Sequence, residues 1–294
     1  MGILSSGNFW ATHYRFLNDL REGSLLIPKI ESLLETRFLG FFTKHKNKVD
    51  NDAIKRDFGT VEALAKRESS RLAAALFDFQ NKLAPSFVVS FCRHDSEKSA
   101  GHGLLSQWRG YASGGYCIVV NKEELLELIK GEQETSLDCS FAMGPVDYHN
   151  ESRDDITEPF DKIFERLVPA LLQGDRNANE IISELYPRML TIVPFVKDGG
   201  FSEESEFRIV LQPLDIRKLR PDFQPTRPVK HREYRGTFVP YVTLFEKTNK
   251  LPIERIIVGP SDDAQRRAQG LVSLLASLEL DVRVSISDIP YLGP

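Results

Sequence analysis

Cysteine is scarce in this chain of 294 residues: Cys92, Cys117 and Cys139 lie far apart and form no CxxC pair. A sparse, odd count excludes a disulfide framework and predicts reduced thiols. Zinc spacing is also missing. Cys92, His94 and His102 come nearest to a ligand set, and they lack a fourth partner, so no metal is expected. Long hydrophobic runs are absent, since no stretch approaches the roughly 20 apolar residues a membrane helix needs. The opening MGILSSGNFW lacks a basic n-region and a long apolar core, which excludes a signal peptide and predicts a cytoplasmic protein without membrane partners. An excess of one charge is missing too. The 38 basic and 42 acidic residues leave a net charge of −4, which argues against a dedicated nucleic-acid surface. One local basic patch, RPVKHREYRG at 227–236, groups Arg227, Lys230, His231, Arg232 and Arg235 and reads as a solvated loop. There is no repeat, no low-complexity tract and no linker.

What remains is an ordinary globular balance, 41% hydrophobic and 27% charged, with enough length for a substantial core. HYRFLN at 13–18 reads as a short strand entering a turn. Residues 64–83 read as a helix closed by Pro85, and SFVVSFC (86–92) and YCIVV (116–120) as strands. Asn121 caps a following helix, with Glu124 completing the capping pattern and Gly131 stopping it. Pro159, Pro169 and Pro187 break residues 155–190 into short helices. Strands resume at 207–213, 241–246 and 254–260. In GPSDDAQRR (259–267) Ser261 reads as a helix cap, and the chain ends in an amphipathic helix and a strand. The expectation is one α+β domain over 1–294 with a mixed or antiparallel sheet core. A helical insertion at about 150–195 should cover the sheet and supply no catalytic group.

The chemistry concentrates in GGFSEESEFRIVLQP, residues 199–213. Three carboxylates, Glu203, Glu204 and Glu206, precede an apolar strand, although Glu is a poor strand former. The bland reading is a solvated turn. The functional one uses strand alternation, which places Glu204 and Glu206 on one side and Glu203 and Ser205 on the other. Arg208 would share the face of Glu206. In QWRGYASGGYCIVV, Trp108 and Tyr111 lie three apart on a predicted helical turn; both rings can pack it onto a sheet, the reading favoured for Trp108, or Tyr111 can instead stack on a ligand ring.

Several stretches together resemble a mainly bacterial family, domain of unknown function 2971: Tyr14-Arg15, the strand VVSFC with Ser90, the segment QWRGYASGGYCIVV and FSEESEFRIV. Two family features are missing, an NDPF-like segment at 40–60 and a His after Tyr111-Ala112. A more distant resemblance, to ADP-ribosyltransferases, rests on Arg15, Ser90 and Glu204-Ser205-Glu206 occurring in that order. It implies a transferase-type sheet core and NAD as substrate. It further implies Arg15 and Tyr14 at the dinucleotide, and Ser90, Tyr111, Trp108 and Arg208 as further NAD-binding residues. Glu206 would be the catalytic carboxylate and Glu204 its accessory toward a protein or nucleic-acid acceptor, or toward water. Such a protein would serve as a toxin or phage-defence effector. The alternatives are a non-catalytic nucleotide- or partner-binding sensor module and, more weakly, a metal-dependent nuclease using Glu204, Glu206 and Asp198.

Overall fold

The computed structural model describes residues 2–19, 23–48, 50–94, 101–111, 115–149, 156–214, 217, 220–246 and 251–291. Ser113 and Gly114 of the predicted glycine turn and residues 150–155 of the predicted insertion lie outside them. Helix α1 (Gly2–Ser6) leads into β1 (Phe9–His13), and the chain then turns through a 3-10 helix at Tyr14–Phe16. The first strand therefore ends where the predicted one begins, and Arg15 stands in the turn after it. The cause is local. His13 Nδ1 accepts the Arg15 amide at 3.2 Å and closes the backbone.

Helices α2 (Ile27–Lys44), α3 (Asn51–Asp57) and α4 (Val61–Leu83) follow, then β2 (Phe87–Cys92), α5 (Leu105–Gly110) and β3 (Tyr116–Val120). Helix α6 (Lys122–Thr135) is capped by Asn121, whose side chain accepts the Glu124 amide at 3.0 Å. Gly131 does not end it. Ile129 and Glu132 on either side are buried, and their packing outweighs the roughly 1 kcal/mol that a mid-helix glycine costs. Next come β4 (Cys139–Pro145), β5 (Asp147–His149), α7 (Glu158–Gln173), α8 (Ala178–Ser183), α9 (Leu185–Ile192) and β6 (Val196–Asp198). Pro169 lies inside α7 without breaking it, because Phe160, Phe164, Leu167 and Val168 bury that helix face. The chain continues through β7 (Glu206–Pro213), β8 (Lys230–Tyr234), β9 (Thr237–Leu244), β10 (Ile253–Val258), α10 (Ala264–Ser277) and β11 (Arg283–Ile286). Strand β8 occupies the stretch read as a solvated loop. At the other end of the chain, Asp263 rather than Ser261 takes the cap position of α10.

Strands β4-β7-β2-β1-β9-β8 form one antiparallel sheet, and β11-β10-β3 form a second in which β10 pairs parallel with β11 and antiparallel with β3. The fold is thus mixed α/β with antiparallel sheets, as expected for an α+β class. One face of the large sheet buries Phe9, Phe87, Ile209, Leu211 and Val242 against Leu125 and Ile129 of α6. The other face packs Val88 and Val210 with Tyr14 and Phe195. A helical layer has its own core, in which Leu34, Phe38, Phe77, Phe164 and Met189 join α2, α4, α7 and α9. Arg37 forks onto Asp161 at 2.9 and 2.8 Å, tying α2 to α7. The helices of the predicted insertion therefore find their partners largely in the N-terminal helices, not only in the sheet. Asp161 on that helix is thereby bound rather than solvated.

Candidate functional site

The segment after α9 links these layers. Val193 and Val196 belong to the helical core, and Phe195 between them belongs to the sheet face. Lys197 follows, only 3% exposed. The Asp198 carboxylate accepts the Gly200 amide at 2.9 Å and opens a 3-10 turn over Gly199–Glu204. Ser205 then takes a left-handed conformation, φ 45°, before Glu206 begins β7. Glu204 and Glu206 do face the same group, but strand alternation is not the cause, because Glu204 lies outside the strand. The left-handed residue between them brings the carboxylates together. Such a conformation costs a non-glycine residue roughly 1–2 kcal/mol, a strain that surrounding contacts must hold in place.

All four oxygens of the acid pair are engaged. Lys197 Nζ donates to Glu204 Oε2 at 2.5 Å and to Glu206 Oε1 at 2.9 Å. Glu206 Oε2 accepts from Arg208 Nε at 2.6 Å, and Arg208 also donates to the Pro194 carbonyl at 2.7 Å. The Tyr111 hydroxyl donates to Glu204 Oε1 at 2.8 Å. The Glu206 amide donates to the Tyr148 hydroxyl at 2.7 Å, fixing the start of the strand. Two acids and two cations thus form a neutral cluster under cover, with Arg208 only 1% exposed. Burial pushes the Glu206 carboxyl up, and Arg208, with Lys197 and the neighbouring Glu204, pulls it further down, so it lies below its ordinary value. Burial drives the Tyr111 phenol up to about 12, and the carboxylate it bonds adds to that effect. Cys92, opposite Glu206 on β2, is also pushed to about 12, first by burial and then by the two acids.

Beside the cluster lies a cavity of about 640 Å³ between the end of β2, helix α5 and strand β3. Its wall includes Ser90, Arg93, Gln107, Trp108, Tyr111 and Arg255. Tyr111, 52% exposed, belongs to both the wall and the carboxylate network. Trp108 anchors the helix that ends at Tyr111. Its indole N–H donates to the His102 carbonyl at 3.0 Å. The ring is clasped by two glycines: a Cβ on Gly103 would come within 2.9 Å of it and one on Gly259 within 3.0 Å. Arg93 joins the wall to the turn, donating its amide to the Ser205 carbonyl at 2.9 Å and its guanidinium to the Ser205 hydroxyl at 3.3 Å.

The predicted residues thus divide. Glu204, Glu206, Arg208 and Tyr111 meet in one network, while Ser90 and Trp108 line the adjoining cavity. Ser90 pairs with Arg208 across β2 and β7. Tyr14 is buried, with its hydroxyl donating to Asn81 at 2.5 Å, and the exposed Arg15 donates to that same hydroxyl at 3.2 Å. Neither lines the cavity. The turn that carries them reaches the cluster through Asn18, which hydrogen-bonds Tyr111. Sequence reasoning missed Lys197 and Tyr148. The signal for Lys197 was a lone cation directly after the apolar run Val193–Val196. Among the described residues no three histidine, cysteine or acidic side chains gather to hold a metal, and Asp198 turns to the Gly200 amide instead of joining the acid pair.

The family described as protein of unknown function (DUF2971) matches residues 107–209. That span runs from the turn bearing Trp108 and Tyr111 to the strand bearing Glu206 and Arg208, so it encloses the network. No curated protein and no solved structure matches the chain. No described helix is long and apolar enough to cross a membrane.

Proposed function

We propose that this chain cleaves the glycosidic bond of NAD and transfers ADP-ribose to a macromolecular acceptor or to water. The observation that supports this reading is a ligand-sized cavity that shares Tyr111 with a paired-carboxylate cluster. A volume of about 640 Å³ lies within the range of small-molecule sites. The wall offers rings at Trp108 and Tyr111 for a base, and guanidinium groups at Arg93 and Arg255 for phosphates. In the reaction, the bond from ribose C1′ to the nicotinamide nitrogen breaks, and its electron pair leaves with the ring. Positive charge then develops on the sugar. An ionised Glu206, kept so by Arg208, stabilises that charge. The acceptor attacks C1′, and its proton passes to Glu204 and on to solvent. The test is incubation with labelled NAD, following free nicotinamide and label on macromolecules together. Nicotinamide release that is lost in Glu206→Gln supports the reading, and its absence from the native protein defeats it.

One observation favours a second reading. Every oxygen of the acid pair already has a donor, which suits a rigid wall better than a reactive one. On that reading the cavity binds a nucleotide without breaking it, as a sensor module does. NAD binding with no nicotinamide release would select it.

A further inference from the structure

The stretch read as a solvated loop forms the last strand of the six-stranded sheet. Register places Trp10 and Thr12 of β1, Tyr241 of β9, and Arg232 and Tyr234 of β8 on one face of the sheet. That face carries rings and guanidinium groups in alternation. Trp10 lies 5.1 Å from Tyr241, centroid to centroid. The Arg232 guanidinium sits over Trp10 at 5.4 Å and over Tyr234 at 5.8 Å, and Arg235 covers Tyr234 at 5.2 Å. Trp10 is 39% exposed and Tyr234 is 50% exposed. Arg232 donates to Thr12 at 3.2 Å, yet its buried Nε has no hydrogen-bond partner among the described residues.

The hairpin joining β8 to β9 supplies an independent observation. Arg235 and Gly236 both hold positive φ, 50° and 76°, in a two-residue turn between Tyr234 and Thr237. Such a turn favours Asn, Asp or Gly at its first position, where an arginine is strained. The turn therefore does not explain Arg235. Its guanidinium stands exposed at the tip with no carboxylate partner among the described residues. Lys230 nearby is already bonded to Glu246 and Thr243.

We propose that this face, built from Trp10, Arg232, Tyr234 and Arg235, binds single-stranded nucleic acid. Exposed rings accept unpaired bases by stacking, which every base allows whatever its sequence. The planar forks of Arg232 and Arg235 match phosphate oxygens. A duplex hides its base faces and has nothing to lay on the rings. An acidic peptide would answer the charge and leave Trp10 and Tyr234 without a role. The surface is separate from the cavity, and its test uses no NAD.

That test is fluorescence anisotropy of a labelled mixed-sequence single strand of about 12 nucleotides, as RNA and as DNA, across a salt series. The expected dissociation constant is about 1 to 100 μM, with a log–log salt slope near −1.4 from two phosphate contacts at about −0.7 each. Trp10→Ala should weaken binding about tenfold. Arg235→Asn suits the turn better than the native residue, so folding is not at risk. It should weaken binding several-fold and roughly halve the slope. No binding at about 100 μM protein would overturn the proposal. So would affinity unchanged in both variants, or equal competition by a duplex or by an acidic peptide.

Discussion

Two buried ion clusters stand out among the described residues, and one of them adjoins the cavity beside Tyr111. In the first, Lys197 is shared between Glu204 and Glu206, with Arg208 behind. In the second, Arg227 pairs with Glu132, donates to the Ser136 hydroxyl at 3.2 and 3.0 Å and to the Thr243 carbonyl at 2.8 Å, and lies over the Phe141 ring. Both hold their charged side chains under cover and hydrogen-bond them within the protein. The second closes a loop onto the sheet and takes no part in the wall of the cavity beside Tyr111. The first includes a phenol that is half in solvent, and it rests on a strained Ser205. Burial of charge alone therefore does not mark function, since a buried pair is only weak evidence even for stability. What separates the clusters is the route from carboxylate to cavity through Tyr111.

Removing each cation separates the two clusters. Lys197→Met leaves two adjacent buried acids with one guanidinium and should cost about 3–5 kcal/mol. Arg227→Met orphans one acid and should cost about 1–3 kcal/mol. Urea denaturation of the two variants measures both, and equal losses would erase the distinction. Glu206→Gln should lower NAD turnover by about 10²–10³-fold, as expected for a lost electrostatic stabiliser, in a nicotinamide-release assay. It should also alter the acid limb of stability. The folded Glu206 carboxyl titrates below its ordinary 4.5, so its contribution is complete above that pH and disappears as pH falls through the lower folded value. The variant should flatten the stability curve in that window, read by thermal melts from about pH 5 downward. Tyr111→Phe removes one hydrogen bond to Glu204 and should cost about 0.5–1.5 kcal/mol, while nucleotide binding weakens modestly by titration calorimetry. The smallest effect belongs to Glu203→Gln. That side chain is exposed and outside the network, and both stability and turnover should stay within about 0.5 kcal/mol of the native protein.

Much of the sheet was legible because its strands are apolar runs bounded by turn residues. YCIVV became β3 with the predicted limits, and Asn121 announced the following helix. The helical layer was less legible. Helix α2 was not foreseen, and Pro169 suggested a break that buried phenylalanines override. At the site, Glu204, Glu206 and Arg208 stood out as charges at the mouth of an apolar strand. Their geometry was hidden, since nothing local reveals that Ser205 turns left-handed or that Lys197 reaches across both acids. Arg15 was placed on a strand by its apolar neighbours, whereas His13 turns the backbone before it. Contacts distant in sequence, such as Tyr111 to Glu204, come from packing two layers together and leave no periodic trace.

The most direct test of Glu206 as the catalytic carboxylate is nicotinamide release from NAD by the native protein and by Glu206→Gln, side by side. The native protein should release nicotinamide, and the variant should do so about 10²–10³-fold more slowly, with NAD binding retained. Release at the same rate by both proteins, or by neither, would contradict that role.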